Sequence, residues 1–432
     1  MLDLRPILHD QLDDRFKGYP PGAPALALSA VGHQGWNVLG EDLPFPIPVL
    51  KQSALAHNEA WMRDFTAAVG VSLCPHGKTT MSPQLFERQL AAGAWGITVA
   101  TVHQLGIAYR HGVRRFILAN QLVGRQDIGH LAALREHDPT LEVLFLVDDE
   151  AQVERFAVAA EAAGSRHQWE VLLEVGVEDG RTGCRDMDHA LTVARAVAAC
   201  RRLRLRGIEC FEGLRASPDQ EANARFVEGL MALLREVATR CAAENLFDTD
   251  EIILTAGGSA FFDLVARELP LAELGRPYRV ILRSGCYITH DSGFYRRLFA
   301  ALQERLGADW QSRPGLRPAL EVWAQVQSRP QPNLALLTLG KRDASYDIEL
   351  PHPTSWYRPG CDTAPQPTPA QWRVKAMNDH HAYLEIPPQA TLAIGDLVGC
   401  GISHPCTTFD RWQWLPVVDD SYTVIHAVRT YF

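Results

Sequence analysis

The sequence predicts an α/β protein in which a (β/α)8 barrel is followed by an antiparallel β domain. Eight short aliphatic or β-branched runs lie between residues 70 and 290, and longer helical patterns separate them. After residue 300 the apolar runs follow one another with prolines and glycines between them and no long helix. Strands that alternate with helices imply crossover connections and a parallel sheet. Eight such units over about 220 residues match a closed barrel, and an open doubly wound sheet is the alternative.

The barrel prediction depends on segments that can be read in chain order. The strand runs are GVSLCP, AWGITVA, RRFILAN, LEVLFLV, WEVLLEVG, LRLRGIECF, EIILTAGG and YRVILRSG. The helical patterns between them are MSPQLFERQLAAG, VHQLGIAYRHG, DIGHLAALREH, EAQVERFAVAAEAAG, DHALTVARAVAAC, PDQEANARFVEGLMALLREVATRCAAEN and FFDLVARELPLAEL. A further pattern, SALAHNEAWMRDFTAAVG, is apolar at helical spacing and leads into the first barrel strand.

The later strands define the second domain. They are ALEVWAQVQSRP, NLALLTLG, WRVKAMNDHHAYLEI, GDLVGCGI and SYTVIHAVRTYF, joined by turns. We therefore expect a barrel domain over residues 45–300 and a β domain over 301–432, to which part of 1–44 adds.

Composition limits the classes of function. The chain of 432 residues is long enough for two domains, and 47% hydrophobic with 22% charged residues is ordinary globular composition. A net charge of −9 argues against nucleic acid or an anionic membrane as the main partner. The first residues carry acids and no apolar core, no apolar run is long enough to span a membrane, and the nine cysteines are scattered. These features predict a cytoplasmic protein with reduced thiols.

Two strand ends carry residues with distinctive chemistry. In VSLCPHGKTT, Lys78 follows the first predicted barrel strand, at the end of the barrel where active sites form. Burial lowers the pKa of an amine and makes it able to form a Schiff base, although a lysine that reaches out to solvent is the alternative. In TAGGSA, the residues Gly257, Gly258 and Ser259 offer backbone N–H groups to an anion, unless they form an ordinary tight turn. A reactive lysine and a phosphate site in one barrel together suggest pyridoxal phosphate.

Several motifs give the sequence a family resemblance. PHGKT at 75–79, EVGVEDGRTG at 174–183, AGGS at 256–259 and RSGCYITHD at 283–291 resemble the barrel domain of fold-type III pyridoxal phosphate enzymes. NDHHAYL at 378–384 and SHPCTTFDRW at 403–412 resemble the C-terminal domain of the D-serine dehydratase and D-threonine aldolase group. The likeness spans about residues 45–425 and implies pyridoxal 5'-phosphate as the cofactor.

The resemblance implies roles for individual residues. Lys78 would bind the cofactor and act in catalysis, and Gly257, Gly258 and Ser259 would face its phosphate. Arg181 would contact the side of the ring that carries the phenolic oxygen.

The roles of three further residues either allow two interpretations or depend on the resemblance alone. Glu209 lies on a strand where relatives often carry a tyrosine near the pyridine nitrogen. A glutamate there would keep that nitrogen protonated, or else form an ion pair at the rim. Tyr287 matches a catalytic-pocket tyrosine, with a hydrogen-bonded core aromatic as the alternative. His381 matches a family histidine near the site.

SHPCTTFD places His404 and Cys406 two residues apart. In an extended segment both side chains point to one side, and an imidazole with a thiolate suits zinc. Spacing alone leaves a buried cysteine beside a hydrogen-bonded histidine as the alternative. The resemblance implies that both residues are metal ligands, for zinc or another divalent ion. Cys400 is a further candidate that its distance along the strand disfavours.

Together these features predict a pyridoxal phosphate and zinc dependent dehydratase of D-3-hydroxy amino acids, which releases a keto acid and ammonia. The alternative within the family is a D-threonine aldolase type of cleavage to glycine and an aldehyde. A non-catalytic pyridoxal phosphate-binding protein and a metal-dependent barrel hydrolase are alternatives of other classes. The resemblance also implies a homodimer.

Overall fold

The structure is a computed structural model that describes residues 2–213 and 219–432. The chain begins with short elements that precede the barrel. These are α1 Arg5–Leu8, β1 Gln11–Leu12, β2 Leu26–Ala27 and β3 Ile47–Lys51. The first two strands pair with each other, whereas β3 joins a sheet formed much later in the chain.

Eight parallel strands and their helices follow, as the sequence predicts. The strands are β4 Ser72–Leu73, β5 Ile97–Val99, β6 Arg115–Gln121, β7 Glu142–Val147, β8 Trp169–Val175, β9 Leu203–Cys210, β10 Ile252–Ala256 and β11 Tyr278–Leu282. The helices are α2 Gln52–Val69, α3 Pro83–Ala91, α4 Val102–Arg110, α5 Arg125–His137, α6 Glu150–Ala162, α7 Met187–Ala199, α8 Gln220–Ala243 and α9 Phe262–Glu268. The helical pattern predicted for α8 begins at Pro218, which lies outside the described residues.

The sheet curls until its first and second strands meet. Seven neighbouring pairs run in the order β4-β11-β10-β9-β8-β7-β6-β5. His76 then bridges to Thr98 in parallel register, and the Thr98 N–H donates to the Pro75 carbonyl at 2.9 Å. Because these contacts join β4 to β5, the closed barrel is confirmed and the open sheet is excluded.

The barrel has an interior core of its own. Inward side chains pack together as a separate apolar cluster of Cys74, Ile117, Leu144, Leu146, Leu172, Ile253 and Ile281. Outward-facing strand residues pack instead against the helices, for instance Phe145 against Phe156 with ring centroids 4.6 Å apart. The interior is therefore filled with side chains, and open space lies at the strand ends.

The antiparallel β domain follows two helices, α10 Phe294–Arg305 and α11 Ala308–Gln311. Its strands are β12 Leu320–Gln331, β13 Leu334–Leu337, β14 His352–Tyr357, β15 Gln366–Pro367, β16 Arg373–Met377, β17 Ala382–Glu385, β18 Leu397–Gly401, β19 Trp414–Val418 and β20 Val424–Arg429, with helix α12 Pro405–Phe409 between the last strands. Strand β3 pairs with β12 and β19, so a segment that precedes the barrel lies in this sheet. Among the described residues no helix is both long and apolar enough to cross a membrane.

Candidate active site

The lysine loop lies at the carboxyl end of β4. Its residues Gly77–Thr79 form a single 3-10 turn. A side chain at Gly77 would begin only 2.9 Å from Ile97 and 3.0 Å from Phe86, so glycine lets the loop pack closely on its neighbours. The turn places Lys78 toward the opening of the barrel.

The pocket at this opening collects polar groups from several strands. Its lining includes Lys78, His76, Arg181, Arg283 and the backbone of Gly257 and Gly258. The Lys78 side chain is partly open to solvent on the pocket side. Burial nevertheless lowers its pKa, and the charges of Cys406 and Cys286 partly oppose this shift. The amine is thus more often neutral, and more nucleophilic, than that of a surface lysine.

The glycine turn after β10 forms an anion cradle. Gly257 has φ 97°, a conformation that glycine adopts readily and that helps turn successive N–H groups toward one point. The N–H groups of Gly257 and Gly258 donate to the Glu212 carboxylate at 3.2 and 2.5 Å. Glu212 is buried, and burial raises its pKa. The cradle therefore already binds an anionic group, which here comes from the chain itself.

Arg283 separates the predicted Glu209 from the pocket. The guanidinium lies 2.7 Å from the Glu209 carboxylate and donates to the Cys210 carbonyl and to Thr255. Burial raises the pKa of Glu209 to about 8, although the charge of Arg283 opposes that shift. Of this ion pair, the arginine is the member that lines the pocket.

Arg181 lines the pocket, whereas Ser259 lies next to the glycine turn in the chain. The Arg181 guanidinium lies over the Phe211 ring, 4.9 Å from its centroid. Ser259 Oγ accepts a hydrogen bond from the backbone N–H of Cys286 at 3.1 Å. This hydrogen bond connects the glycine turn to the residues that follow β11.

The predicted metal ligands approach the lysine loop from the β domain. Cys406 Sγ lies 3.5 Å from Thr79 Oγ1, next to Lys78 in the chain. His404 Nδ1 lies 2.5 Å from Asp347 Oδ2. Although burial lowers it, the pKa of His404 is raised to about 9 by Cys406 and Asp347. Hydrogen bonding to Cys286, and the neighbouring His404, hold the pKa of Cys406 well below its usual value.

The local backbone of this pair differs from the prediction. His404 is extended, but Cys406 lies inside α12 rather than in an extended segment. Pro405 occupies the first turn of that helix, where its fixed φ favours helix initiation. The two side chains still lie close enough to shift each other's pKa, because a helix N-terminus brings its capping residue close to the first turn.

The structure does not bring all predicted residues together. Tyr287 is buried, with its hydroxyl against the Gln89 side chain, and burial raises its pKa. Another tyrosine, Tyr295, lies beside Cys286 instead. Burial, together with Cys286, raises the pKa of the Tyr295 hydroxyl well above its usual value. His381 lies in the β16–β17 hairpin, where its carbonyl accepts from the Asn378 N–H at 2.8 Å, and it does not line the Lys78 pocket.

These residues fit the two groups that the sequence suggests. A phosphate suits the glycine cradle, and an aldehyde suits the Lys78 amine. The buried Nδ1 of His76, which lines the same pocket, lacks a hydrogen-bond partner among the described residues. For a metal ion, His404 and Cys406 supply an imidazole and a thiolate, the donors that zinc prefers.

Comparisons with known proteins agree with the fold and with the predicted family. Residues 50–267 match the family described as "Alanine racemase, N-terminal domain", and residues 319–418 match "Putative serine dehydratase domain". A D-threonine aldolase of an Arthrobacter species is 26% identical over 386 residues, 87% of this chain and 89% of the relative. A D-threo-3-hydroxyaspartate dehydratase of Delftia sp. (strain HT23) is 28% identical over 249 residues, 52% of this chain and 63% of the relative.

A solved structure extends the likeness over both domains. It is the metal-free form of a D-threo-3-hydroxyaspartate dehydratase variant with one cysteine replaced by alanine. It superposes with a TM-score of 0.71 at 18% identity and covers 92% of this chain and 99% of its own. The barrel and its pocket define a fold-type III pyridoxal phosphate enzyme. The chain belongs to the alanine racemase N-terminal domain family, in its D-serine dehydratase and D-threonine aldolase group, and is a D-amino acid lyase.

Sequence reasoning missed several residues that the structure places at the site. Arg283 and Cys286 stand in the RSGCYITHD motif, and Glu212 follows the sixth barrel strand. All three residues follow the end of a barrel strand, and this position in the sequence could have identified them as candidates. Asp347 lies in a turn of the β domain far from any motif, so no local pattern pointed to it.

Proposed function

We propose that this lyase dehydrates D-3-hydroxy amino acids such as D-serine to a keto acid and ammonia, with pyridoxal phosphate and zinc. The observation that carries the proposal is the meeting of the lysine loop with the metal-ligand helix. Thr79 and Cys406, from different domains, lie 3.5 Å apart. A basic amine and a metal-ligating thiol therefore flank one position, as a substrate with an α-proton and a β-hydroxyl requires.

Named residues would hold each group. Lys78 would bind the cofactor aldehyde, the Gly257 and Gly258 N–H groups would bind its phosphate, and His404 with Cys406 would bind zinc. When bound, pyridoxal phosphate supplies an electron-withdrawing ring, and zinc supplies a Lewis acid for the leaving hydroxyl.

A side chain of the protein would carry out the first proton transfer. The Lys78 amine, whose pKa burial lowers, would take the proton from the substrate Cα. Hydroxide then leaves Cβ, so that the electron pair of the broken Cα–H bond forms the double bond of an enamine. The enamine hydrolyses to the keto acid and ammonia.

Arg283 and Glu209 would set the electrostatics at the base of the site that holds the cofactor. Because Arg283 is cationic and faces the pocket, it would oppose protonation of a nitrogen placed against it. This supports the ion-pair alternative for Glu209 over contact with the ring nitrogen, since its carboxylate lies 2.7 Å from the guanidinium that faces the pocket. We propose that Glu209 orients Arg283 and does not touch the cofactor.

Retro-aldol cleavage is the second candidate. The Arthrobacter aldolase aligns over 87% of this chain, whereas the Delftia dehydratase aligns over 52%. Against this, the ligand beside His404 is a cysteine, and a thiolate favours zinc over harder ions. The homodimer and the contribution of His381 and Tyr287 to catalysis stay predictions.

Product analysis separates the two reactions. D-serine, D-threonine and D-threo-3-hydroxyaspartate are each incubated with the enzyme loaded with both groups, and keto acid, ammonia, glycine and aldehyde are measured. Deuterium at Cα should slow dehydration, because that bond breaks, and should not slow aldol cleavage. Glycine and an aldehyde as main products would refute dehydration.

Substitution of Lys78 tests the proposed base. The Lys78→Ala variant should lose turnover and the visible absorption of the bound cofactor together, since one amine serves both. Lys375→Ala is the matched control, because that exposed lysine lies in β16 and does not line the pocket. Keto acid production at the unmodified rate in Lys78→Ala would remove Lys78 from the mechanism.

A further inference from the structure

Two cysteines meet where the barrel and the β domain touch. Cys286 lies in the 3-10 turn Cys286–Ile288 after β11, and Cys406 lies in α12. Their Sγ atoms are 3.8 Å apart although 120 residues separate them in the chain. We propose that Cys286 is a third protein ligand of the metal ion, which gives the site two thiolates and the imidazole of His404. This inference rests on the metal site of the proposed function.

The separation of the sulfurs is the one that a shared zinc ion requires. Zn–S bonds of about 2.3 Å at a tetrahedral angle place two thiolates about 3.8 Å apart. A disulfide would need about 2.05 Å instead. Because two thiols in simple contact also lie near 3.8 Å, the surroundings of the pair decide between packing and ligation.

Those surroundings are polar. Thr79 Oγ1 lies 3.8 Å from Cys286 Sγ and 3.5 Å from Cys406 Sγ. Cys74 shows the contrast, because it is enclosed in the apolar cluster of the barrel interior. Cys286 also belongs to the larger apolar core, so its contact with a second thiol is what sets it apart from Cys74. Hydrogen bonding to Cys406 and burial raise the pKa of the Cys286 thiol well above its usual value, so the bound ion would have to stabilise the thiolate.

His404 is held as a metal-ligating histidine usually is. Its Nδ1 contacts the Asp347 carboxylate at 2.5 Å, which leaves Nε2 for an ion. Three protein ligands with a fourth position for water or a substrate hydroxyl is the arrangement of catalytic zinc. Within residues 2–213 and 219–432, no three such side chains already form a complete centre. We therefore expect the ion to draw the imidazole toward the thiol pair.

Cobalt substitution counts the thiolates directly. Reduced protein is freed of metal with a chelator and loaded with Co2+, whose thiolate-to-metal absorption in the near ultraviolet grows with the number of sulfur ligands. The unmodified protein should absorb about twice as strongly as Cys286→Ala, in proportion to two sulfurs against one. Cys400→Ala is the matched control and should equal the unmodified protein.

Zinc affinity gives a second readout without substrate. In competition with a chromophoric chelator, Cys286→Ala should bind zinc about 100-fold or more weakly, beyond the roughly 10–100-fold typical of a lost outer partner. If the alanine variant does not fold, Cys286→Ser, which keeps the side-chain size, takes its place. Circular dichroism confirms that each variant is folded.

The outcomes separate this inference from the proposed function. Equal cobalt absorption and equal zinc affinity in the folded Cys286 variant would overturn the third ligand and leave dehydration untouched. A halved absorption in an enzyme that yields glycine would support the third ligand and refute dehydration. An unmodified protein that binds neither ion would overturn both.

Discussion

Glu212 occupies the anion cradle that we propose for the cofactor phosphate. Its carboxylate accepts hydrogen bonds from the Gly257 and Gly258 N–H groups at 3.2 and 2.5 Å. A phosphate can bind there only after it has displaced the Glu212 carboxylate. The loss of these two hydrogen bonds makes the net free energy of cofactor binding less favourable. We therefore predict that Glu212→Gln binds pyridoxal phosphate more tightly than the unmodified protein.

The magnitude follows from the two hydrogen bonds. A hydrogen bond to a charged group contributes about 1.5–3 kcal/mol, and one between neutral groups contributes about 0.5–1.5 kcal/mol. An amide oxygen in place of the Glu212 carboxylate thus weakens the two contacts by about 2 kcal/mol in total. At about 1.4 kcal/mol per factor of ten, the dissociation constant of the cofactor should fall about 30-fold.

The assay is a titration of cofactor-free protein followed by fluorescence or calorimetry. Inorganic phosphate is a second probe, because it tests the cradle without the Lys78 amine. Glu178→Gln is the matched control, since it removes the same charge from an exposed position on a neighbouring loop without touching the glycines.

The pH dependence sharpens the test. Because burial raises the pKa of Glu212, this carboxyl gains a proton at a higher pH than an exposed glutamate. The unmodified protein then approaches the variant in affinity as the pH falls, and the two separate as it rises. Equal dissociation constants at alkaline pH, or weaker binding by Glu212→Gln, would refute displacement of this carboxylate.

Three other substitutions test the margins of the site. Arg181→Lys should weaken cofactor binding or slow turnover without lowering the unfolding temperature, since a point charge cannot replace a planar guanidinium; unchanged kinetics and binding would make Arg181 a surface residue. Gly285→Ala would place a Cβ 2.5 Å from the His76 carbonyl oxygen, so we expect a loss of about 1–3 kcal/mol in chemical denaturation, and an unchanged midpoint would contradict this contact. Asp347→Asn should weaken zinc binding about 10–100-fold in chelator competition, because it loosens the His404 imidazole, and unaltered affinity would show that the carboxylate is dispensable.

The barrel was predictable because its strands are short, apolar and regularly separated by helical patterns. Each of the eight runs overlaps a barrel strand, from Ser72–Leu73 to Tyr278–Leu282. The place of β3 was not predictable in the same way. Its partner β12 begins at Leu320, and no local pattern reports a pairing across that distance.

Residue type and strand end pointed to Lys78, the glycine turn and the His404–Cys406 pair. Side-chain direction was harder to predict, because it depends on turns that no periodicity describes. In the 3-10 turn Cys286–Ile288, Cys286 points to Cys406 while Tyr287 points to the core. The contact between Thr79 and Cys406 spans 327 residues, so only the folded chain reveals it.

The pairing of β3 with β12 and β19 has a consequence for synthesis. The four buried residues at the start of β3 leave the ribosome about 270 residues before β12, which takes about 15–55 s at 5–20 residues per second. During that interval the barrel strands can assemble, while the apolar strand Ile47–Lys51 remains unpaired because β12 and β19 have not yet been synthesised. The order of synthesis therefore delivers the barrel residues around Lys78 first and Cys406, with the rest of α12, afterwards.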